Sequence, residues 1–222
     1  MKKIAVIIPA YNAGSTIGEL IDKISKFVSK EDIVVIDDGS CDQTFETARA
    51  TGAVVLRHEA NRGKGEALKT GFRHTQRRNY PAVITLDADL QHDPESIPAF
   101  VRKTNGFCGI MIGTRKRDLK VMPFARWLIN NLTSIIVSVL SGQSIRDSQS
   151  GYRLITTQVL KSVKLESRKY DLESEILIKA KRKGFEITEV PIRTIYAGGK
   201  SFINPLIDTI RFIKLIWRSL WW

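Results

Sequence analysis

The sequence is poor in cysteine, with Cys41 and Cys108 as the only two among 222 residues. Two cysteines are too few for a cysteine-based zinc site or for the disulfide framework of a small secreted domain. We therefore expect both to be reduced thiols without a catalytic role, in a protein of the cytoplasm. A cleavable signal peptide is not predicted, because the apolar run that follows Lys3 is short and has the form of a first strand.

Long apolar runs are missing as well. The weakly polar stretch at 132–140 is far shorter than the ~20 residues that a helix needs to span a bilayer. The sequence also contains no recognisable nucleic-acid-binding module, such as a zinc finger or an RNP-type aromatic strand. These absences argue against a membrane-spanning helix and against a nucleic-acid partner.

Acidic residues are outnumbered, with 23 Asp and Glu against 35 Lys and Arg and a net charge of +12. Charge of this sign is compatible with nucleic acid, phosphate-rich substrates and anionic lipids. The basic residues accumulate late, at 115–117, at 179–183 and in the last helical segment, and this placement favours a membrane-facing side. The hydrophobic fraction of 43% indicates a packed core.

Apolar strands alternate with helical patterns through the first half of the chain. The predicted strands cover 4–9, 33–37, 53–57, 82–86 and 108–113, and the predicted helices cover 15–29, 43–50, 63–76 and 94–103. In the second half we predict helices at 122–140 and 172–183 and strands at 152–155 and 185–191. Such alternation is typical of an α/β protein with a Rossmann-like, mostly parallel sheet flanked by helices.

The last predicted helix, 203–222, has an apolar face opposite a basic face, and Trp217, Trp221 and Trp222 crowd one end. This pattern is typical of an amphipathic helix that lies in a membrane interface. A helix docked on the protein's own core would show a similar pattern. The sequence leaves both possibilities open.

Two carboxylates, Asp87 and Asp89, directly follow the apolar run 82–86, and Gln91 stands two residues further on. Oxygen ligands of this kind suit a hard divalent cation such as Mg²⁺ or Mn²⁺. In open α/β sheets, ligands bind at the carboxyl ends of the strands. The segment therefore predicts a site for a metal-bound diphosphate.

Three other polar segments follow predicted strands: 9–12 (Pro-Ala-Tyr-Asn), 37–40 (Asp-Asp-Gly-Ser) and 61–65 (Asn-Arg-Gly-Lys-Gly). Each is weak evidence alone, since an acidic residue after a strand is often a helix cap. In order along one sheet edge they are hard to explain as capping. Lys64, flanked by glycines, is placed to approach a phosphate at a helix N-terminus.

Together these motifs resemble the inverting family 2 glycosyltransferases, which have the GT-A fold. The segment 146–153 (Arg-Asp-Ser-Gln-Ser-Gly-Tyr-Arg) is similar to that of the polyprenyl-phosphate sugar synthases, the dolichol-phosphate mannose synthase branch. The resemblance extends over about residues 3–200 and implies a GT-A domain at 1–200 followed by the helix at 201–222. It also implies hexose transfer from a nucleotide-sugar, GDP-mannose or a UDP-sugar, to a polyprenyl phosphate at the inner membrane face.

The resemblance implies a role for each matching residue. Residues expected to bind the nucleotide-sugar are Pro9, Ala10, Tyr11, Asn12, Asp37, Asp38, Lys64, Asp87, Ala88 and Lys200. The expected metal ligands are Asp87, Asp89 and Gln91. The expected catalytic residues are Asp89, Arg115, Arg126 and Asp147, and the expected acceptor residues are Ser148, Ser150 and Arg153.

The sequence departs from the family pattern at two places. Ala13 and Gly14 stand where the family has an acidic residue that contacts the base, so the donor base and sugar stay open. Lys200 precedes Ser201, whereas the branch has these residues in the reverse order. His58 and His74 are predicted to be surface or boundary residues. His92 adjoins the metal motif, and it is predicted to be a helix-entry residue, with support of the metal ligands as the alternative.

The acceptor decides whether a base is needed. A phosphate is already ionised at pH 7, whereas a hydroxyl would need a carboxylate base, for which Asp147 is the candidate. One alternative function is therefore a family 2 enzyme that acts on a saccharide or another hydroxyl in cell-envelope polysaccharide synthesis. Another is a non-catalytic basic domain that binds membrane or nucleic acid. The sequence does not fix the oligomeric state.

Overall fold

The computed structural model of the protein describes residues 3–115, 124–193 and 205–222, without the side chains of 124–126 and 205–208. Of the predicted site residues, Lys200 and the side chain of Arg126 lie outside the described part. Their assignments therefore stay predictions.

In the described part, seven strands form one sheet in the order β3-β2-β1-β4-β6-β5-β7. The strands are β1 (Ala5–Ala10), β2 (Ile33–Asp37), β3 (Val54–Arg57), β4 (Ala82–Thr85), β5 (Gly109–Arg115), β6 (Arg153–Thr156) and β7 (Glu186–Ile192). Neighbouring strands are parallel except that β6 runs antiparallel to both β4 and β5. The predicted mostly parallel α/β sheet is confirmed.

Helices cover both faces of the sheet. They are α1 (Ile17–Ser25), α2 (Thr44–Ala50), α3 (Lys64–Arg77), α4 (Ile97–Arg102), α5 (Phe124–Ser141), α6 (Thr157–Ser162), α7 (Leu172–Arg182) and α8 (Pro205–Ser219). Successive side chains of β1 alternate between faces, so Ile7 packs with α3 and α7, whereas Val6 and Ile8 pack with α1 and α4. Both faces of β1 are thus buried, which explains its continuous apolar sequence.

Several boundaries differ from the prediction. The predicted helix at 94–103 is a 3₁₀ turn, Pro94–Ser96, followed by the short α4. The Asp93 carboxylate accepts a hydrogen bond from the Glu95 N–H at 3.1 Å and so caps this turn. The helix α6 was not predicted, because six residues are too few to show a clear helical period.

The antiparallel strand β6 places a distant part of the chain beside the ends of β4 and β5. It pairs with both strands, and Arg153 faces Thr85 in one register and Ile112 in the other. Because β6 runs in the opposite direction, its first residues lie where β4 and β5 end. The segment 146–152 therefore reaches the edge of the sheet that was predicted to carry the site.

The last helix, α8, has one packed face and one exposed face. Leu215 and Ser219 are buried, and the Ser219 carbonyl accepts a hydrogen bond from Arg182 of α7. The Lys179 ammonium of α7 lies 4.1 Å from the centre of a Trp222 ring. The other face exposes large apolar side chains, namely Ile210, Ile213, Trp217, Leu220 and Trp221. The helix thus docks on the domain and still presents an apolar surface.

Among the described helices, none has both the length and the apolar character needed to cross a membrane.

Candidate active site

The site is built around Asp87, which follows β4. Its Oδ1 lies 2.6 Å from the Lys64 ammonium, and that ammonium also lies 2.9 Å from Glu173 Oε1. Burial opposes ionisation of Asp87, but the Lys64 charge outweighs it and lowers the Asp87 pKa to about 2. Burial likewise opposes the charge of Lys64, but Asp87 and Glu173 together raise the Lys64 pKa above its ordinary value.

Gly151 packs directly against the Asp87 carboxylate. A Cβ atom at position 151 would lie 2.5 Å from Asp87 Oδ2, closer than non-bonded atoms approach. The Gly151 carbonyl accepts a hydrogen bond from Thr85 Oγ1 at 2.7 Å, which fixes this segment to the end of β4. The site therefore requires glycine where the segment before β6 passes the carboxylate.

Asp89 is held two residues further along the same loop. Its Oδ1 accepts a hydrogen bond from the Gln91 backbone N–H at 3.0 Å, and Thr16 Oγ1 donates to the Ala88 carbonyl at 2.7 Å. Asp89 is exposed to solvent as a residue, but protein atoms surround part of its carboxyl group. Partial burial and the nearby Asp87 charge both raise the pKa of Asp89.

These residues fit a divalent cation that is shared with a diphosphate. In the described part of the chain, no group of three or more His, Cys, Asp or Glu residues is arranged to hold a metal ion. Mg²⁺ is commonly bound by one or two carboxylates together with substrate phosphates and water. Asp87, kept ionised by its surroundings, and Asp89 supply such a pair, and Gln91 stands beside them.

The glycines around Lys64 pack against protein. The Gly63 N–H donates to Asp38 Oδ2 at 2.7 Å, and a Cβ at Gly65 would lie 2.6 Å from the Arg168 backbone. The Glu66 N–H donates to the Arg168 carbonyl at 3.1 Å, so the segment at 168 covers this part of the α3 N-terminus. Lys64 therefore contributes to the site through its side chain, which contacts Asp87 and Glu173.

Asp38 joins the loop after β2 to the start of α3. Its Oδ1 accepts from the Arg62 N–H at 2.9 Å and lies 2.7 Å from His58 Nδ1, while Thr70 Oγ1 lies 3.0 Å from His58 Nε2. The prediction that His58 is a surface or boundary residue is wrong, because this network buries it. The carboxylate of Asp38 shapes the loop, and its assignment to nucleotide binding stays a prediction.

The loops after β1 and β2 are also tied together. The Asn12 N–H donates to Ser40 Oγ at 2.9 Å, and Asn12 Oδ1 accepts from the Cys41 N–H at 3.0 Å. The buried Asp37 accepts from the Ser40 N–H at 3.0 Å and lies 3.1 Å from Arg57 Nε. The structure thus brings Asn12 and Asp37 together at the edge where a nucleoside is predicted, beside Pro9, Ala10 and Tyr11.

Arg115 ends β5 and is paired with Asp147. The guanidinium donates from Nε to Asp147 Oδ2 at 2.7 Å and from Nη2 to Oδ1 at 2.9 Å. This two-point contact fixes the plane of the guanidinium. Both oxygens of the buried Asp147 are engaged, so this carboxylate orients Arg115 and is poorly available as a base.

The predicted acceptor residues are buried. Arg153 donates hydrogen bonds to the carbonyls of Ser148 at 2.7 Å, Ser150 at 2.8 Å and Glu173. Ser148 Oγ lies 3.2 Å from Ser134 Oγ of α5. These side chains hold the segment 146–152 in shape.

The pairing of Glu173 with Lys64 was not predicted from the sequence. Glu173 stands in the acidic first turn of α7, which alone suggests only favourable helix-dipole placement. His92 is buried, with its ring centre 5.5 Å from that of Tyr152. Burial lowers the His92 pKa to about 4, so the ring is neutral at pH 7.

Several known proteins are similar to this chain. The model of glycosyl transferase family 2 matches residues 5–163, and the chain belongs to this family. The UDP-N-acetylglucosamine–dolichyl-phosphate N-acetylglucosaminyltransferase of Methanococcus voltae is 31% identical over 218 residues, covering 88% of this chain and 86% of that relative. The undecaprenyl-phosphate mannosyltransferase of Micrococcus luteus is 28% identical over 201 residues, covering 86% and 82%.

The fold is also shared with a solved structure. Glucosyl-3-phosphoglycerate synthase from Mycobacterium tuberculosis, in complex with UDP, aligns with a TM-score of 0.77 at 22% identity. The alignment covers 98% of this chain and 80% of that one. The GT-A fold implied by the sequence motifs is thereby confirmed, and the relatives are consistent with the dolichol-phosphate mannose synthase branch.

Proposed function

We propose that the protein transfers a hexose from a nucleotide-sugar to a polyprenyl phosphate at the membrane face, with inversion and with Mg²⁺ or Mn²⁺. The observation that carries this proposal is an arrangement of residues at one sheet edge. Asp87 and Asp89 can hold a metal-bound diphosphate there, and Arg115, whose orientation Asp147 fixes, can bind a second anion. The Methanococcus and Micrococcus relatives are named for dolichyl-phosphate and undecaprenyl-phosphate acceptors. The mycobacterial synthase has been crystallised with Mn²⁺ and with Mg²⁺.

The leaving group is stabilised by charge. When bound, the divalent cation would act as a Lewis acid on the diphosphate of the donor. Asp87 and Asp89 would hold it, and the ammonium of Lys64 adds positive charge beside them. Asp37 and Tyr11 stay predicted nucleoside-binding residues at the neighbouring strand ends, and Lys200 and Arg126 stay predicted phosphate-binding residues.

The acceptor proposed here needs no general base. The described carboxylates around Lys64 and Arg115 include four, namely Asp87, Asp89, Asp147 and Glu173. Three of them pair with Lys64 or Arg115, and the fourth is a predicted metal ligand. An ionised phosphate can attack directly, and Arg115 can orient it while its charge is shared with Asp147. In a single in-line displacement, the phosphate oxygen bonds to the anomeric carbon as the nucleoside diphosphate leaves, which inverts the configuration at that carbon.

The lipid acceptor requires a membrane-facing surface, and α5 offers one beside the site. This helix exposes a stripe of apolar side chains, namely Leu128, Ile129, Leu132, Ile135 and Val139. Ser134 of the same helix contacts Ser148, so the stripe adjoins the segment 146–152. We propose that this stripe and the exposed face of α8 rest on the inner face of the membrane, as expected for exposed apolar patches next to basic residues.

The test is incubation with GDP-mannose or UDP-sugars, Mn²⁺ and dolichyl or undecaprenyl phosphate, with analysis of lipid-linked sugar. We expect a lipid-linked product for one donor, and its loss in folded Asp89→Ala. Failure with every donor would reject the lipid acceptor, and transfer to a saccharide would favour the hydroxyl-acceptor alternative. Absence of metal-dependent nucleotide binding would favour a non-catalytic domain.

A further inference from the structure

Lys64 divides its positive charge between two carboxylates that differ in exposure. Its ammonium lies 2.6 Å from Asp87 Oδ1 and 2.9 Å from Glu173 Oε1. The Glu173 side chain is 7% exposed, whereas that of Asp87 is 28% exposed. Glu173 is therefore the enclosed partner of the ammonium, and Asp87 is the partner that an incoming ligand can reach.

Glu173 is held in place by contacts that do not involve its carboxylate. Its backbone carbonyl accepts a hydrogen bond from Arg153, a side chain buried beneath the segment 146–152. The Glu173 N–H donates to the Tyr170 carbonyl at 3.2 Å, and the Tyr170 ring lies 5.6 Å from the Lys64 ammonium, within the range of a cation–π contact. These contacts fix the direction in which Glu173 draws Lys64.

We propose, building on the function proposed above, that Glu173 is a positioning residue that retains Lys64 when Asp87 exchanges the ammonium for the divalent cation that accompanies the donor diphosphate. The charges then match in pairs, since Lys64 and Glu173 neutralise each other while Asp87 and Asp89 together balance a divalent cation. The ammonium has three N–H donors, and those released from Asp87 become available to a phosphate oxygen. If Glu173 were neutral, Lys64 would keep Asp87 as its carboxylate partner and would compete with the cation.

The experiment measures Mn²⁺ affinity by calorimetry in the presence of a nucleoside diphosphate, without acceptor. We expect Glu173→Gln to weaken Mn²⁺ binding by about tenfold, and by less than about twofold when Lys64→Met is already present, because coupled residues are not additive. Glu66→Gln is the matched control, since Glu66 pairs with Lys69 at 2.7 Å and is 14% exposed, but serves a different lysine. Circular dichroism and thermal unfolding establish that each variant is folded, and Glu173→Asp should recover part of the affinity.

The outcomes separate this role from simpler ones. An equal loss of affinity in both backgrounds would show that Glu173 acts only as a negative charge near the site, and no loss in either would also overturn the proposal. Sugar transfer by the wild-type protein without any Lys64-dependent coupling would reject the role of Glu173 and leave the proposed function standing. Absence of Mn²⁺ binding by the wild-type protein would overturn both.

Discussion

Burial and charge act in opposite directions on single residues of the site. At Asp87 the Lys64 ammonium prevails over burial and keeps the carboxylate ionised. At His92 burial prevails over the attraction of Asp87, and the pKa falls from an ordinary value of 6.5 to about 4. Two neighbouring residues thus differ in their response to acid because only one of them has a close partner of opposite charge.

The neutral His92 has a consequence for stability. Between pH 6.5 and 4 the unfolded chain binds a proton at this residue that the folded chain does not, so stability falls as the pH falls. The expected loss between pH 7 and 4 is about 3 kcal/mol in the free energy of unfolding. Urea denaturation should show a shallower pH dependence for His92→Phe than for the wild type. Parallel curves for the two proteins would contradict a neutral His92.

At the scale of the element, α8 has tryptophans on two different surfaces, one packed against the domain and one exposed. Trp222 packs with the core and with Lys179, whereas Trp217 and Trp221 are 68% and 78% exposed. Sequence reasoning treated the three as one cluster. The structure places them on different surfaces, which allows the membrane proposal to be tested without removing the helix.

We expect the double variant Trp217→Gln, Trp221→Gln to reduce binding to liposomes by about tenfold, because two large apolar side chains are lost from the exposed face. Its thermal stability should change little. The matched variant Trp222→Gln should show the reverse, with a lower melting temperature and a smaller effect on liposome co-sedimentation. Unchanged co-sedimentation of the double variant would count against an interfacial α8.

The elements differ in how far sequence could predict them. The parallel strands β1, β2 and β4 were predictable because strands buried on both faces are continuous apolar runs followed by polar loops. The contact of Lys64 with Glu173 was not, because it depends on how α3 and α7 pack. The position of β6 was also beyond sequence reasoning, since its pairing with β4 joins residues far apart in the chain.

At the scale of the whole molecule, the net charge of +12 would add electrostatic attraction to the membrane contacts proposed for α5 and α8. Basic residues near an anionic surface each contribute about 1 kcal/mol to binding, and salt screens this attraction. We therefore expect binding to vesicles rich in anionic lipid to fall steeply between 0.1 and 0.5 M salt, at about the concentrations where the Debye length shrinks below 10 Å. Binding to neutral vesicles should be weaker and nearly independent of salt. A salt response that is equal for both vesicle types would show that the charge does not contact lipid.

The reversed strand β6 also sets the order in which the molecule can be completed during synthesis. In the described sheet β5 pairs with β6 and β7, and β6 is what connects it to β4. A nascent chain that has emerged only as far as Ser150 contains both carboxylates and Lys64, but neither the strand that joins the two parts of the sheet nor Glu173. Pairings between residues far apart in sequence form slowly, and domains fold as the chain emerges from its N-terminal end. The strands β1–β4, with Asp87, Asp89 and Lys64, therefore emerge before β6 can hold β5 and its last residue, Arg115, beside them.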